Sequence, residues 1–314
     1  MRGFRRLTGA AITFTFILIV LGAVVRSTGS GLACPDWPRC YGLWLPTPQS
    51  LEALGGVDYS FGQVMLEWTH RLIAGVIVGP LVLWLTIWSF RLRREAGALP
   101  LLMVVALALV LAQAGLGGFT VLKGNIPWSV AMHLTVALIF LATLIFVFIS
   151  SERTSGIGRR SDYVGAGARV LASLSLVVVL VTVASGAITA KSGATFACTS
   201  WPLCDGFRLP DLSDLMVRIH MGHRVFALST VLFISLLYIT GIRTRREAPR
   251  FHNDTRLAFL LVLAEVGLGA LVIFTAAPLW GAVVHQALGA LVFAALATAF
   301  LRPFVKRHAR FGNA

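Results

Sequence analysis

Four histidines in this chain are placed to bind something in pairs. His70 and His133 occur in LEWTHR and AMHLTV in the first half, and His223 and His285 in HMGHR and VVHQAL in the second, each near the same end of a long apolar stretch. An imidazole in an apolar segment is costly without a partner, and two facing each other across a helical bundle suit the axial positions of a haem iron. A lone histidine there reads first as a satisfied structural residue. Four at matched depth on equivalent segments favour ligation, because a structural role gives no reason for the pairing. Two pairs imply two haem-sized sites.

Glu67 precedes His70 by three residues, so its carboxylate falls on the same helix face as the ligand. Di-iron carboxylate bundles share the E-x-x-H pattern but need a Glu from each of two further helices. Glu265 is the one other acid inside the apolar stretches, which argues against such a site. In the second half His220 takes the place of Glu67. The halves therefore share ligands and differ at the residue suited to proton transfer, pointing to one working site and one supporting site. Arg71 and Arg224 follow the first histidine of each pair. They suit the propionate carboxylates of a haem, and equally a snorkelling position at a membrane interface. Gln113 and Glu265 hold equivalent places in LAQAGLG and LAEVGLG, where small neighbours argue for close helix packing and both polar groups read as interhelical hydrogen-bonders.

The elements that position these residues are themselves duplicated. GAVVRSTGSGLACPDWPRC (22–40) lines up with GAITAKSGATFACTSWPLC (186–204), an offset of 164, and LAQAGLGG (111–118) with LAEVGLGA (263–270), an offset of 152 shared by His133 and His285. The smaller second offset means a shorter loop between the later cysteines and the next helix. A repeat of this length is a duplicated domain-sized unit, well beyond the periods of solenoid arrays.

With 57% hydrophobic residues, 13% charged and a mean hydropathy of +0.83, the composition belongs to helical membrane proteins. Uncharged stretches of about twenty residues occur eight times: Leu7 to Val25, His70 to Phe90, Leu101 to Leu122, Pro127 to Ser150, Val170 to Ala190, His223 to Ile242, Leu257 to Ala277 and Trp280 to Leu301. The expected fold is all-α and membrane-integral, with eight transmembrane helices forming two tandem four-helix bundles. Residues 1–152 form the first repeat, 153–168 a cytoplasmic linker and 169–314 the second repeat. The first stretch is longer than a signal-peptide core, lacks a convincing cleavage site and has a counterpart in the second repeat, so it reads as the first membrane helix.

A net charge of +14 invites thoughts of nucleic acid, but its placement does not. Basic residues gather at Arg2, Arg5 and Arg6, at Arg91, Arg93 and Arg94, at Arg153, Arg159 and Arg160, at Arg243, Arg245, Arg246 and Arg250, and at Arg302, Lys306, Arg307 and Arg310. These are the termini and every second connection. The positive-inside rule then puts both termini in the cytoplasm and the cysteine-bearing loops outside, in the plasma membrane of a prokaryote. A phosphate-binding patch would not alternate with helix order, so no nucleic-acid partner is expected. On this topology His70 and His223 lie within about one turn of the outer surface, and His133 and His285 a turn or two below Trp128 and Trp280. Trp37, Trp44, Trp128 and Trp201 fit an outer aromatic belt. His252 and His308 fall in basic cytoplasmic segments and read as solvated.

All four cysteines lie in the two outward loops. An oxidising outer face favours a bridge within each loop, Cys34 to Cys40 and Cys198 to Cys204. Five intervening residues exceed the usual two to four of a zinc chelate, which weakens the alternative of one metal site built from all four thiolates. A structural staple and a redox-active pair both remain open on the residues alone.

Together these features resemble the haem A synthases, which oxidise a methyl group of haem O to the formyl group of haem A for cytochrome oxidases. The likeness covers nearly the whole chain: eight helices in two repeats, Glu67 with His70, the partner His133, the second pair His223 and His285, and a cysteine pair in each outer loop. The resemblance implies that the amino-terminal half holds haem O or haem A between His70 and His133. It implies a haem b cofactor between His223 and His285, with Glu67 as the acid the chemistry needs, and contact with haem O synthase and cytochrome oxidase assembly factors. The electron partner and the source of the inserted oxygen are not written in the residues. A di-haem membrane cytochrome b that passes electrons would also need four histidines, but has no use for a carboxylate in one half. A haem exporter or delivery protein would explain outward sites, but need not keep two fixed ligands on a cargo that must leave.

Overall fold

An apolar stretch of twenty residues crosses a hydrocarbon layer only if its backbone satisfies its own hydrogen bonds, so each of the eight stretches becomes a helix. The computed structural model describes residues 1–94, 97–154, 164–206, 208 and 210–304, excluding the side chains of 152–154. Arg159, Arg160, Lys306, Arg307, His308, Arg310 and most of the expected 153–168 linker lie outside the described residues. The spans are α1 (Arg2–Ser27), α2 (Phe61–Arg91), α3 (Leu99–Leu122), α4 (Pro127–Thr154), α5 (Ala166–Lys191), α6 (Leu215–Arg243), α7 (Pro249–Phe274) and α8 (Leu279–Leu301). All eight are long and apolar enough to cross a membrane.

Two helices start well before their histidines, which corrects the sequence-based boundaries. α2 begins at Phe61 because Ser60 and Gln63 form a reciprocal capping box, the Ser60 hydroxyl accepting from the Gln63 amide and the Gln63 side chain from the Ser60 amide. α6 begins at Leu215, where the Asp214 carboxylate accepts from the Met216 amide. His70 and His223 thus sit about two and a half turns along their helices, deeper than a start at the histidine implies. α7 likewise begins eight residues early, at Pro249, and brings His252 into its first turn. His252 is not simply solvated: its ring stacks on Tyr238, 5.9 Å between centroids, and its Nδ1 is buried.

α2 is also irregular. Directly after His70, Arg71 and Leu72, the segment Ile73–Val78 widens into a π-helical stretch. Pro80 lacks an amide hydrogen and its ring crowds the carbonyl four residues back, and the wider turn relieves both. Phe233 stands at the corresponding place in α6, which runs through as a regular α-helix.

Sequential neighbours pack side by side. α1 touches α2, α4 and α8; α2 touches α3, and α3 touches α4. α5 touches α6 and α8; α6 touches α7, and α7 touches α8. α4 and α8 also meet each other, and α4 meets α5. One core, with Ile19, Leu138, Leu141, Ile234, Phe251, Phe293 and Leu296, joins α1 and α4 to the later helices. A second, with Phe4, Val82, Leu85, Met103 and Leu144, fills the space among α1 to α4. Small residues on α8, such as Gly281, Ala290, Ala295 and Ala299, are buried. Within lipid, close approach at such residues supplies the dispersion and hydrogen-bond contacts that burial from water supplies elsewhere.

Both cysteine loops lie at one end of the helix array, and residues 2 and 304 at the other. Each loop is closed by its own bridge, Cys34 to Cys40 and Cys198 to Cys204, as the sequence implies. The first loop is longer, carries a short helix, Pro48–Glu52, and forms a small core of Ala33, Cys34, Cys40, Leu51 and Val64.

Candidate functional site

Each of the four histidines lies against a glycine on the preceding helix. A β-carbon built on Gly22 of α1 would sit 3.5 Å from Cε1 of His70, and one on Gly117 of α3 3.3 Å from Cε1 of His133. On Gly186 of α5 it would sit 2.9 Å from Cε1 of His223, and on Gly269 of α7 3.2 Å from that of His285. Gly22 and Gly186 are related by the offset of 164, and Gly117 and Gly269 by 152. The arrangement is therefore one device used four times: a glycine opens a seat, and an imidazole from the next helix fills it. The sequence reads Gly117 and Gly269 as packing residues and Gly22 and Gly186 only as matched positions of the repeat, and it does not show their pairing with the histidines. The signal was their recurrence at the same two offsets.

His223 and His285 face each other with ring centroids 6.5 Å apart and planes at 85°. An imidazole nitrogen binds a transition metal at about 2 Å with its ring centre about 1 Å behind, so two rings on opposite faces of one iron have centres about 6 Å apart. The observed separation fits. His70 and His133 are within electrostatic range of each other.

What lies behind the rings differs between the halves. Nδ1 of His223 is 3.1 Å from the Ser185 hydroxyl, and Nδ1 of His285 is 3.1 Å from Oε1 of Glu265. The second contact is at ion-pair distance but off the axis of a hydrogen bond. In the first half Leu21 replaces Ser185, and Gln113 replaces Glu265 but spends its amide on the His133 backbone carbonyl, 2.9 Å away. Nδ1 of His70 and of His133 is buried without a partner among the described residues.

Glu67 is buried, 4% exposed, on α2. Its Oε2 accepts from the Cys34 amide at 2.8 Å and its Oε1 meets the Arg71 guanidinium at 2.5 Å. Arg71 also donates to the carbonyls of Cys34, Asp36 and Arg39. The cation expected near haem propionates thus clamps the disulfide loop onto the carboxylate. Asn125 and Gln63 add further ties, donating to the Gly31 and Thr28 carbonyls. Trp37 of the same loop lies over Gly118 of α3, where a β-carbon would approach within 2.9 Å.

The second half keeps less of this. His220, buried at 4% exposure, contacts the Ala194 carbonyl through Nδ1 at 2.9 Å. Arg224 donates from Nη1 to the Pro202 carbonyl, while its Nη2 is buried without a partner among the described residues. A carboxylate at position 67 and a histidine at 220 thus make one arginine a clamp and leave the other incompletely paired.

Comparison with known proteins gives the family. The family whose model matches residues 5–297 is described as cytochrome oxidase assembly protein, COX15-CtaA. A heme A synthase from Geobacillus kaustophilus is 30% identical over 283 residues, covering 88% of this chain and 84% of that protein. One from Shouchella clausii is 29% identical over 312 residues, 98% of each chain. One from Geobacillus thermodenitrificans is 30% identical over 288 residues, 88% of this chain and 84% of that one.

Proposed function

Since the chain belongs to the COX15-CtaA family of cytochrome oxidase assembly proteins, we propose that it is a membrane oxidoreductase that converts haem O to haem A. The similarity to heme A synthases over nearly the full length supports this reading. So does the four-fold device of glycine seat and histidine, with one pair spaced for two ligands of a single iron.

On this reading haem O is the substrate, bound in the first half between His70 and His133, and a haem b cofactor sits between His223 and His285. The cofactor supplies one-electron transfer when bound. The remaining work falls to the protein. Turning a methyl into a formyl group passes through an alcohol and a hydrated aldehyde, each stage a two-electron oxidation that adds one oxygen, after which water leaves. Each oxidation moves protons, out of the reaction if water supplies the oxygen and into it if dioxygen does, and Glu67 is the carboxylate proposed to relay them or to offset positive charge on the reacting group. Its ties to Arg71 and the Cys34 amide hold it in place. An electron carrier would have no use for that clamp.

The same reading takes the two rings of packed helices, α1 to α4 and α5 to α8, as copies of one unit. Both termini are cytoplasmic and both disulfide loops are outside, in keeping with basic residues at the opposite end. Haem O synthase and oxidase assembly factors are the expected partners.

Extraction of pigment from the purified protein tests the function. Haem O, its hydroxylated form or haem A alongside haem b is expected. Haem b alone would point to an electron carrier and overturn the proposal.

A further inference from the structure

A carboxyl group deep among apolar helices is costly unless something requires it. Glu265 of α7 is such a group, and its surroundings are unusually spare. Its Oε1 lies 3.1 Å from Nδ1 of His285, at ion-pair distance though off the hydrogen-bond axis, so that a small rotation of the carboxylate would align them, and its Oε2 is buried with no partner among the described residues. Space for it is made by a residue with no side chain: a β-carbon on Gly289 of α8, one turn beyond His285, would come within 3.0 Å of Oε1. The first half has neither half of this arrangement. Gln113 reaches a backbone carbonyl rather than the ring, and Ala137 stands at the place of Gly289. An interhelical tie therefore does not require a carboxylate, since an amide makes one in the other half. The acid and the glycine together are explained by the ring nitrogen.

We propose that Glu265 is a positioning residue for His285, holding Nδ1 as the donor so that Nε2 is the ligating nitrogen, and thereby setting the redox potential of the haem iron bound in the second half. A carboxylate behind a metal-bound imidazole fixes its tautomer and orientation and raises its basicity, which favours the ferric state. Ser185 does the same more weakly for His223, 3.1 Å away. The inference rests on the haem b assignment made above and adds the residue that tunes it.

The test uses the purified, haem-loaded protein and reads the midpoint potential by spectroelectrochemical titration, with haem content measured beside it. Glu265→Gln keeps the shape and weakens the acceptor. It is expected to retain most of the haem while shifting its preference from ferric toward ferrous by at least tenfold, about 59 mV upward for a one-electron couple. Gly289→Ala keeps the carboxylate but crowds it away from His285, and is expected to shift the potential in the same direction by less. An unchanged potential in both variants with haem retained overturns the proposal. So does haem loss in both with the remaining haem titrating as in the parent, which is the behaviour of a packing residue. Failure of the underlying assignment looks different: His223→Ala and His285→Ala would then leave the same haem signal in place.

Discussion

Among the described residues, the first half fastens its disulfide loop with four side chains and sets no polar side chain behind its histidine rings, whereas the second holds its loop with two and sets a polar side chain behind each ring. In the first, Glu67, Arg71, Asn125 and Gln63 all tie the loop to the helices, while Nδ1 of His70 and of His133 has neither a hydrogen-bond partner nor an acid at ion-pair distance among the described residues. In the second, Ser185 and Glu265 stand behind the two rings, and the loop is held by His220 and Arg224. A ring held at Nδ1 can ligate only through Nε2, which suits the cofactor proposed for the second half. Where the group to be positioned is a carboxylate, the scaffold spends its hydrogen bonds on that carboxylate instead. Few exchanges separate the two states: Leu21 for Ser185, Gln113 for Glu265, Ala137 for Gly289, Glu67 for His220.

The largest effects should come from the ligands. Replacing His223 or His285 with Ala should abolish the haem b signal, and replacing His70 or His133 should deplete the substrate or product haem while leaving haem b. Extracted-haem ratios decide this, and equal depletion of both pigments by every variant in well-folded protein would break the division of labour. Glu67→Gln comes next. Both sites should stay occupied while conversion falls by at least about 100-fold, within the range for loss of an acid–base group, and haem O or a hydroxylated intermediate accumulates. Near-normal haem A output would sink the role given to Glu67.

A smaller and more local contrast separates the glycine seats. Gly186→Ala would put a β-carbon 2.9 Å from the His223 ring, against 3.5 Å for Gly22→Ala at His70. Overpacking costs about 1–3 kcal/mol, so Gly186→Ala should weaken haem retention in the second half while Gly22→Ala is close to neutral. Similar retention in the two variants would show that the seats are not matched to their rings. The smallest effect concerns the turns after α3 and α7. Gly124 and Asn125 adopt left-handed conformations with φ of 69° and 55°, and Ala276 and Ala277 do the same at 54° and 51°. That backbone costs a residue with a β-carbon about 1–2 kcal/mol, so Ala276→Gly should raise the thermal midpoint of detergent-solubilised protein by a few degrees. Asn125→Ala should lower it through loss of the bond to the Gly31 carbonyl, 2.6 Å long. Opposite signs from the two turns are the expected outcome.

Helix number and the identity of the four histidines were legible in the residues, because a twenty-residue apolar run has one way to satisfy its backbone in lipid and because the histidines recur at fixed offsets. The disulfide pairing was legible too, since each loop holds two cysteines and no others. Helix starts were less so. The capping box of Ser60 and Gln63 and the cap at Asp214 extend α2 and α6 past the charged residues that a hydropathy scan takes for an end. The loop contacts of Arg71 were not legible for a related reason: these partners are backbone carbonyls thirty or more residues away, and no side-chain pattern announces a carbonyl. By itself the sequence determined which residues are polar inside an apolar frame and that they come twice. Only the tertiary structure decided what each polar atom faces: Glu67 toward Arg71 and the Cys34 amide, Glu265 toward His285, and each imidazole toward a glycine. Those contacts depend on how neighbouring helices are rotated and how deeply they are set, and both are fixed by packing between residues far apart in the chain.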